Sequence, residues 1–172
     1  MNKILLIITG SIAASRCKEI IALLNINEVK ISCVLTKEAE KYVKISDIKK
    51  LLKERIFTDE NEKKNKMLHI NLSRDNDLIV VCPATANSIA KFANGYGDNL
   101  ASNTLLASNK KILFVPAMNS FMWHNKINQK NVRLLKDSGH EFIGPKVGNL
   151  KCGEFGLGRI DNSKNIVNKI LS

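Results

Sequence analysis

The sequence predicts an α/β protein with a mainly parallel β-sheet that is covered by helices on both faces. Two observations predict this class: short apolar runs recur along the chain, and segments with helical spacing separate them. Strands that alternate with helices pair in parallel through right-handed crossovers, which place helices on both faces of the sheet. With 172 residues and 44% hydrophobic side chains, we expect one domain over residues 1–172 with a sizeable core.

The first half of the chain contains two strands and the helix that connects them. The run KILLIIT (3–9) is apolar throughout, which is typical of a strand buried on both faces, and Gly10 follows it. Ser11 is a natural N-cap for a helix over 11–25. The other predicted elements of this half are a strand over 29–36, a lysine-rich helical region that ends near residue 55, and a polar connection over 58–66.

The second half continues the alternation with two further central strands. Each is predicted to stop at a proline, Pro83 or Pro116, since proline has no N–H group to donate to a neighbouring strand. The predicted elements are strands over 77–84 and 110–117, helices over 86–93, 99–108 and 124–138, a short strand over 141–144, a glycine-rich segment, and a last helix over 162–171.

Composition and charge argue against several classes of protein. The net charge is +11, but the lysines are dispersed and aromatic residues make up only 5%, so an array of stacking side chains for nucleic acid is lacking. No apolar run approaches the roughly 20 residues of a membrane helix, and the cysteines lack the C-x-x-C spacing of zinc sites. We expect a cytoplasmic protein with no nucleic-acid, membrane or metal partner, whose positive field attracts a phosphorylated small molecule.

The residues that follow the first two strands predict a phosphate-bearing ligand. Ligands of parallel sheets bind beyond the carboxyl ends of the strands. Gly10 and Ser11 can present backbone N–H groups and a hydroxyl group to a phosphate at this edge. The dinucleotide motif G-x-G-x-x-G is absent, and the second strand ends at Thr36 without the acidic residue that accompanies that motif. A mononucleotide is therefore favoured over a nicotinamide dinucleotide.

Two later segments carry candidate site residues, and each has a purely structural alternative. Thr85, Asn87 and Ser88 offer hydrogen-bonding groups beside small alanines, but they suit a helix N-terminus equally well. The stretch PAMNSFMW (116–123) places one polar residue, Asn119, among two methionines, a phenylalanine and the only tryptophan of the chain. It is either a loop that holds a ligand or an apolar cluster that closes the core.

The three histidines differ in their surroundings. His69 stands in an apolar stretch, MLHINL, and is either a core residue or a catalytic base at the ligand-binding edge of the sheet. His124 and His140 stand in polar stretches and are expected at the surface. Of the three histidines, only His69 is therefore a candidate for acid–base chemistry.

Five segments of the chain resemble one family, the homo-oligomeric flavin-containing cysteine decarboxylases. In chain order they read TGSIAA, LTKEAEKYV, HINLSRDNDLIVVCPATANSIAKFANGYGDNL, PAMNSFMW and KCGEFGLGRI, and they cover most of the chain. PAMN-x-x-MW is the most specific of them. CGE-x-G-x-GR is typical of the members that serve coenzyme A biosynthesis and separates them from members that act on peptides. The resemblance implies a three-layer Rossmann-like (flavodoxin-like) flavoprotein that binds FMN.

The resemblance also implies a reaction and its partners. We expect a carboxy-lyase that decarboxylates 4′-phosphopantothenoylcysteine to 4′-phosphopantetheine. The cysteine side chain is transiently oxidised to a thioaldehyde, CO2 leaves, and the remaining ene-thiol is reduced again, so a reversible hydride acceptor such as flavin is needed. The expected assembly is a homo-oligomer, a trimer or a dodecamer of trimers, with sites between subunits. A separate phosphopantothenoylcysteine synthetase is expected to act beside it.

The functional residues of the family match definite positions of this sequence. His69 matches the catalytic histidine, Cys152 the reactive cysteine of a flap that closes on the substrate, and Asn119 the substrate-binding asparagine. The implied FMN-binding residues are Gly10, Ser11, Ile12, Thr36, Ala84, Thr85, Ala86, Asn87 and Ser88. The implied substrate-binding residues are Ala117, Met118, Asn119, Lys151 and Gly153, and no metal ligand is implied. Lys151 replaces the usual alanine of the flap, and it either alters closure of the flap or contacts the substrate's phosphate.

Other activities of flavin-binding relatives stay open at this point. Enzymes of the same fold act on a peptide C-terminal cysteine or on a prenyl donor, and some relatives are regulatory subunits that bind FMN without catalysis. The combination of His69, Asn119 and Cys152 favours a catalyst over a regulatory subunit. The PAMN stretch disfavours a prenyltransferase.

Overall fold

A six-stranded parallel sheet forms the centre of the protein. The computed structural model describes residues 3–52, 56–151 and 153–172. The strands of the sheet are β1 (Lys3–Ile8), β2 (Lys30–Leu35), β3 (Ile56–Phe57), β4 (Leu78–Ala84), β5 (Ile112–Pro116) and β6 (Glu141–Phe142). All neighbouring pairs are parallel, in the order β3-β2-β1-β4-β5-β6. The order reverses between β1 and β4, which confirms the predicted Rossmann-like α/β class.

Helices on the two faces of the sheet divide the core into two clusters. They are α1 (Cys17–Ile26), α2 (Ile45–Leu52), α3 (Asp59–Lys64), α4 (Leu68–Arg74), α5 (Ala86–Ala93), α6 (Leu100–Leu106), α7 (Ser120–His124), α8 (Lys126–Asp137) and α9 (Ser163–Leu171). Ile4, Leu6 and Ile8 of β1 pack with α1, α2 and α9 on one face. Leu5 and Ile7 pack with α4, α5, α6 and α8 on the other. β1 is therefore buried on both faces, as its continuous apolar run predicts.

Several segments differ from the prediction. The polar segment 58–66 contains α3 instead of a connection without regular structure, because Thr58 and Asn61 form a capping box in which Thr58 N donates to Asn61 Oδ1 at 2.8 Å. The glycine-rich segment forms an antiparallel hairpin of β7 (Lys146–Asn149) and β8 (Phe155–Arg159). Strand β3 was not predicted either, and the predicted end of the lysine-rich helix, 53–55, lies outside the described residues.

The helix predicted over 124–138 is two helices, because Asn125 ends α7 and begins α8. Its Oδ1 accepts a hydrogen bond from Ile127 N at 2.9 Å, which caps the second helix. The helix predicted over 11–25 is a 3-10 helix (Ile12–Arg16) followed by α1, and α4 was not predicted. The other predicted boundaries agree with the structure within two residues. Among the described residues, no helix has the length and apolar character that a bilayer crossing requires.

His140 is half-buried, in contrast to its expected surface position. Its ring packs against Phe92 and Phe114, with centroid distances of 5.2 and 6.3 Å. Its Nδ1 accepts a hydrogen bond from Ile112 N at 3.3 Å, so the neutral ring carries its proton on Nε2. Burial lowers the pKa of His140 below its usual 6.5, because the charged form loses hydration.

This pKa shift predicts that acid destabilises the fold before any carboxylate titrates. The folded protein takes up the His140 proton at lower pH than the unfolded chain does. The contribution of the neutral His140 ring to the free energy of unfolding is therefore complete above about pH 6.5. It is lost as the pH falls through the lowered pKa of the folded state. Thermal melts of the wild type and His140→Gln between about pH 7.5 and 5 should show a steeper loss in the wild type. Equal pH slopes would contradict the assignment to His140.

Candidate functional site

A cavity of about 920 Å³ lies at the edge of the sheet where the strand order reverses. The turns that follow β1, β2, β4 and β5 form most of its walls, and α6 and parts of the β7–β8 hairpin also line it. This edge is where open parallel sheets bind ligands. The predicted site residues that line the cavity are Gly10, Ser11, Ile12, Thr36, Thr85, Ala86, Asn87, Ser88, Ala117, Met118, Asn119 and Lys151.

The turn after β1 is compact because Gly10 packs directly against the turn after β2. A β-carbon at Gly10 would lie 2.4 Å from Glu38 Cβ, so a larger residue would push the two turns apart. Ser11 caps the following 3-10 helix (Ile12–Arg16), and its Oγ accepts from Ala13 N at 3.3 Å. Thr9 Oγ1 donates to Pro83 O at 2.7 Å, which joins the ends of β1 and β4 beneath the cavity.

Thr36 provides direct evidence that the cavity is built for a polar ligand. Its hydroxyl group is buried, lines the cavity and has no hydrogen-bond partner among the described residues. An unsatisfied buried hydroxyl destabilises a fold by about 1–3 kcal/mol. A ligand with a ring nitrogen, carbonyl or hydroxyl group would supply the missing hydrogen bond.

The N-terminus of α5 forms the wall that follows β4. Thr85 Oγ1 accepts from Ser88 N at 3.1 Å, and Ser88 Oγ donates to Thr85 O at 2.9 Å. The structural alternative, an N-cap, is therefore correct for Thr85, and both residues still line the cavity. Ala86 adds little bulk beside them, so a flat ring or a phosphate can approach the positive end of the helix.

The charges that line the cavity favour an anion. Its described lining carries the cations Arg16, Lys91, Lys151 and Arg159 and a single acidic residue, Glu38. Sequence reasoning selected only Lys151 from this set. Lys91 follows Asn87 by four residues on one helix, a spacing that places both on the same face, so that signal was available. Arg159 was also present in the CGE-x-G-x-GR motif, without an assigned role.

Asn119 both caps a helix and faces the cavity. Its Oδ1 accepts from Phe121 N at 2.8 Å and from Met122 N at 3.4 Å, at the start of α7. Its Nδ2 donates to the carboxylate of Glu154, a residue of the connection between β7 and β8. The side chain therefore already binds a carboxylate with the amide group that was expected to bind the substrate.

The rest of the PAMNSFMW stretch divides between the core and the surface. Trp123 is buried in the core, as the structural alternative predicted, and Met118 packs against the same core cluster. Phe121 is 79% exposed, so it closes no core within the subunit. The loop is fixed to the hairpin, because Met118 N donates to Gly158 O at 3.0 Å. Only glycine fits at 158, where a β-carbon would lie 2.2 Å from Met118 O.

Four predicted site residues are not part of the described cavity lining. Ala84 is fully buried beneath the cavity, and Gly153 lies outside it with a φ of +89°. Cys152 lies outside the described residues. His69 is in the first turn of α4, with its side chain 25% exposed and its Nδ1 2.6 Å from Glu62 Oε1. His69 therefore does not line the cavity of the subunit to which it belongs.

The site combines apolar walls with neutral hydrogen-bonding groups and cations. Ile7, Val81, Phe92 and Leu105 supply apolar surface, and Thr36 and the α5 N-terminus supply polar contacts. This donor set fits a flat heterocycle that carries a phosphate. Clusters of His, Cys, Asp or Glu that could hold a metal ion are absent from the part of the chain that the structure describes.

Comparison with known proteins places the whole chain in one family. The family model described as Flavoprotein matches residues 1–172. "Probable phosphopantothenoylcysteine decarboxylase" of Streptococcus mutans is 32% identical over 173 residues, which cover 98% of this chain and 97% of that protein. "Coenzyme A biosynthesis bifunctional protein CoaBC" of Bacillus subtilis is 33% identical over 168 residues. This alignment covers 96% of the chain but only 41% of the bifunctional relative.

Two solved structures have closely similar backbones. A mutant of PPC decarboxylase complexed with pantothenoylaminoethenethiol superposes with a TM-score of 0.90 at 28% identity, and the match covers 99% of this chain and 96% of that one. "The FMN binding protein AtHal3" superposes with a TM-score of 0.89 at 28% identity, covering 99% and 95%. The likeness extends over all elements that form the cavity.

Proposed function

The chain belongs to the flavoprotein family, and on that premise we propose that it uses FMN to decarboxylate 4′-phosphopantothenoylcysteine to 4′-phosphopantetheine in coenzyme A biosynthesis. The observation that carries the proposal is the convergence of Thr36, the α5 N-terminus and Asn119 on one cavity. A relative named for this activity matches nearly end to end, which supports the choice of substrate.

The cavity offers FMN a volume of about 920 Å³ and polar groups that line it. Gly10, Ser11 and Ile12 would face it from β1, Thr36 from β2, and the turn 85–88 from β4. The buried Thr36 hydroxyl would gain the hydrogen bond that the protein alone does not provide. When bound, FMN supplies a two-electron acceptor that takes a hydride from the substrate and later returns it.

Asn119 would hold the carboxylate of the substrate. Its Oδ1 accepts from the backbone at the start of α7, and its Nδ2 is the donor that binds a carboxylate. The substrate carboxylate would take the place of the Glu154 carboxylate on Nδ2. Lys151 and Arg159 line the same cavity and would attract the phosphate of the substrate. These contacts would orient the substrate so that the bond between its carboxylate and the neighbouring carbon is held in position for the release of CO2.

His69 would act in the cavity of a neighbouring subunit. It lies off its own cavity but remains partly exposed, as a residue shared across an interface must be in the free subunit. A homotrimer with sites between subunits satisfies this geometry, because each cavity then receives one histidine from the next copy. There His69 would accept the proton of the substrate thiol.

Cys152 would complete the reaction by protonating the ene-thiol that remains after CO2 leaves. This role comes from the position of the residue in the CGE-x-G-x-GR motif. Two other residues of the connection between β7 and β8 lie at the site: Lys151 lines the cavity, and Glu154 accepts a hydrogen bond from Asn119. The substrate itself must come from a synthetase that joins cysteine to phosphopantothenate, and we place both activities in the cytoplasm.

The decisive test is a spectrum and a mass measurement on one preparation. Purified protein, with FMN added if needed, should show flavin absorbance and convert phosphopantothenoylcysteine to a product lighter by one CO2. Cys152→Ser should instead accumulate a species two hydrogens lighter than that product. A protein that binds FMN but leaves the substrate unchanged would favour a regulatory subunit or a peptide substrate. A protein that binds no FMN would exclude the proposal.

A further inference from the structure

Two of the four cations that line the cavity already pair with carboxylates of the protein. Arg16 Nη1 lies 3.1 Å from Glu19 Oε2 on the first helical segment. Lys91 Nζ lies 2.6 Å from Asp98 Oδ2 in the connection between α5 and α6. The neighbouring negative charge opposes the attraction of each cation for a second anion. These two residues are therefore the weaker candidates for binding the phosphate of a ligand.

The other two cations, Lys151 and Arg159, belong to the β7–β8 hairpin and its connection. Neither side chain forms a hydrogen bond or an ion pair with the part of the chain that the structure describes. Both line the cavity, so their charges are available to an anion that enters it. The hairpin therefore supplies the uncompensated positive charge of the site.

Gly148 gives the side chain of Arg159 a defined path across the hairpin. A β-carbon at Gly148 would lie 2.9 Å from Arg159 Cδ and 3.2 Å from its Nη1, so the arginine lies directly against the glycine. Arg159 is opposite Lys146 in the hairpin register, and Gly148 is two positions nearer the tip. The guanidinium group therefore points from the base of the hairpin toward its tip, the end that carries Lys151.

We propose that Arg159, positioned by Gly148, binds the phosphate of the substrate and makes the enzyme prefer a phosphorylated substrate to its dephosphorylated analogue. A guanidinium group offers two parallel N–H donors to a phosphate, a geometry that an ammonium group lacks. Asn119 would hold the carboxylate at one end of the substrate, and Arg159 would hold the phosphate at the other. The inference rests on the function proposed above and assigns its selectivity to one residue.

The phosphate of FMN has a different place in the proposed site. The residues expected to contact FMN lie on the turns of the six-stranded sheet, where the N-terminus of α5 offers backbone N–H groups to an anion. Arg159 lies on the separate two-stranded sheet. We therefore assign it to the substrate instead of the cofactor.

The kinetic test compares Arg159→Gln with Arg133→Gln in protein supplied with FMN. Both changes remove one positive charge, but Arg133 is exposed on α8 and does not line the cavity. The measured preference is kcat/KM for 4′-phosphopantothenoylcysteine divided by kcat/KM for pantothenoylcysteine. Arg159→Gln should lower this preference by about 10- to 100-fold, and Arg133→Gln should keep it. An equal preference in the two variants would overturn the proposal, because the general positive field would then explain the selectivity.

Gly148→Ala tests the positioning of Arg159 without a change of charge. The three atoms nearest to the added methyl group all belong to the flexible side chain of Arg159, so the backbone can stay in place while the guanidinium group moves. The preference for the phosphorylated substrate should fall by about three- to tenfold. A thermal melt checks that the variant is folded. A folded variant with wild-type preference would show that Gly148 does not position Arg159.

A binding measurement separates this inference from the proposed function, because it needs no turnover. Titration calorimetry in the presence of FMN compares 4′-phosphopantothenate with pantothenate. The wild type should bind the phosphorylated compound at least about tenfold more tightly, and Arg159→Gln should bind both with similar affinity. This result in a protein without decarboxylase activity would exclude the proposed function and retain the inference. Should Arg159→Gln instead weaken FMN relative to riboflavin and keep the preference for 4′-phosphopantothenate, Arg159 holds the flavin phosphate and the inference is wrong.

Discussion

Asn119→Asp should lower kcat/KM by about 100- to 1,000-fold, the usual effect of removing one oriented donor from an active site. The change keeps the size of the side chain and its capping oxygen, because aspartate is as good an N-cap as asparagine. It removes the Nδ2 donor and sets a second negative charge against Glu154 and the substrate carboxylate. Steady-state kinetics with phosphopantothenoylcysteine measure the effect.

Asn125→Asp is the matched control for this prediction. Asn125 caps α8 as Asn119 caps α7, but it is not among the residues that line the cavity. The same chemical change at this position should leave kcat/KM close to that of the wild type. If both variants keep wild-type kinetics, Asn119 serves only as a helix cap.

A 1:1 co-expression of Asn119→Asp and His69→Gln subunits should recover about a quarter of wild-type activity, although each variant alone should be nearly inactive. The reason is that His69 does not line the cavity of its own subunit. If each site takes Asn119 from one copy and His69 from the next, half of the cavities are intact. Half of these then receive an intact histidine. Activity assays on affinity-tagged mixed oligomers measure the recovery.

A co-expressed mixture without recovered activity would contradict this prediction. If His69 acted within its own subunit, each site in the mixed oligomer would lack either Asn119 or His69. The double variant Asn119→Asp/His69→Gln, co-expressed with wild type, gives the control. It should yield the same quarter of intact sites between subunits, because one parent supplies both residues.

The central sheet could be predicted because the burial of each strand is visible in the residue types of that strand alone. The runs that became β1, β4 and β5 are apolar at successive positions, which few structures other than a strand buried on both faces tolerate. Ser11 and Thr85 were found for a similar reason, since short hydroxyl side chains at the end of a strand cap the next helix. Both also line the cavity.

The parts that could not be predicted depend on partners distant in the chain. The helix α3 has no apolar period, and its contacts reach Leu100 and Asn103 on α6, about forty positions later. The hairpin exists because Gly158 accepts the close approach of Met118. The location of His69 off its own cavity follows from the course of α4, which no local pattern specifies.

The hydrogen bond from Thr9 to Pro83 joins residues 74 positions apart, so it forms only after a long segment of the chain has folded. Of the six strands of the sheet, β1 is synthesised first, yet it lies in the middle of the sheet and must wait for β4. Closing so long a loop is slow compared with forming local contacts. The cavity therefore has no precursor in any early fragment, and a bound ligand reports completed folding. By mass action that ligand also stabilises the whole domain against unfolding.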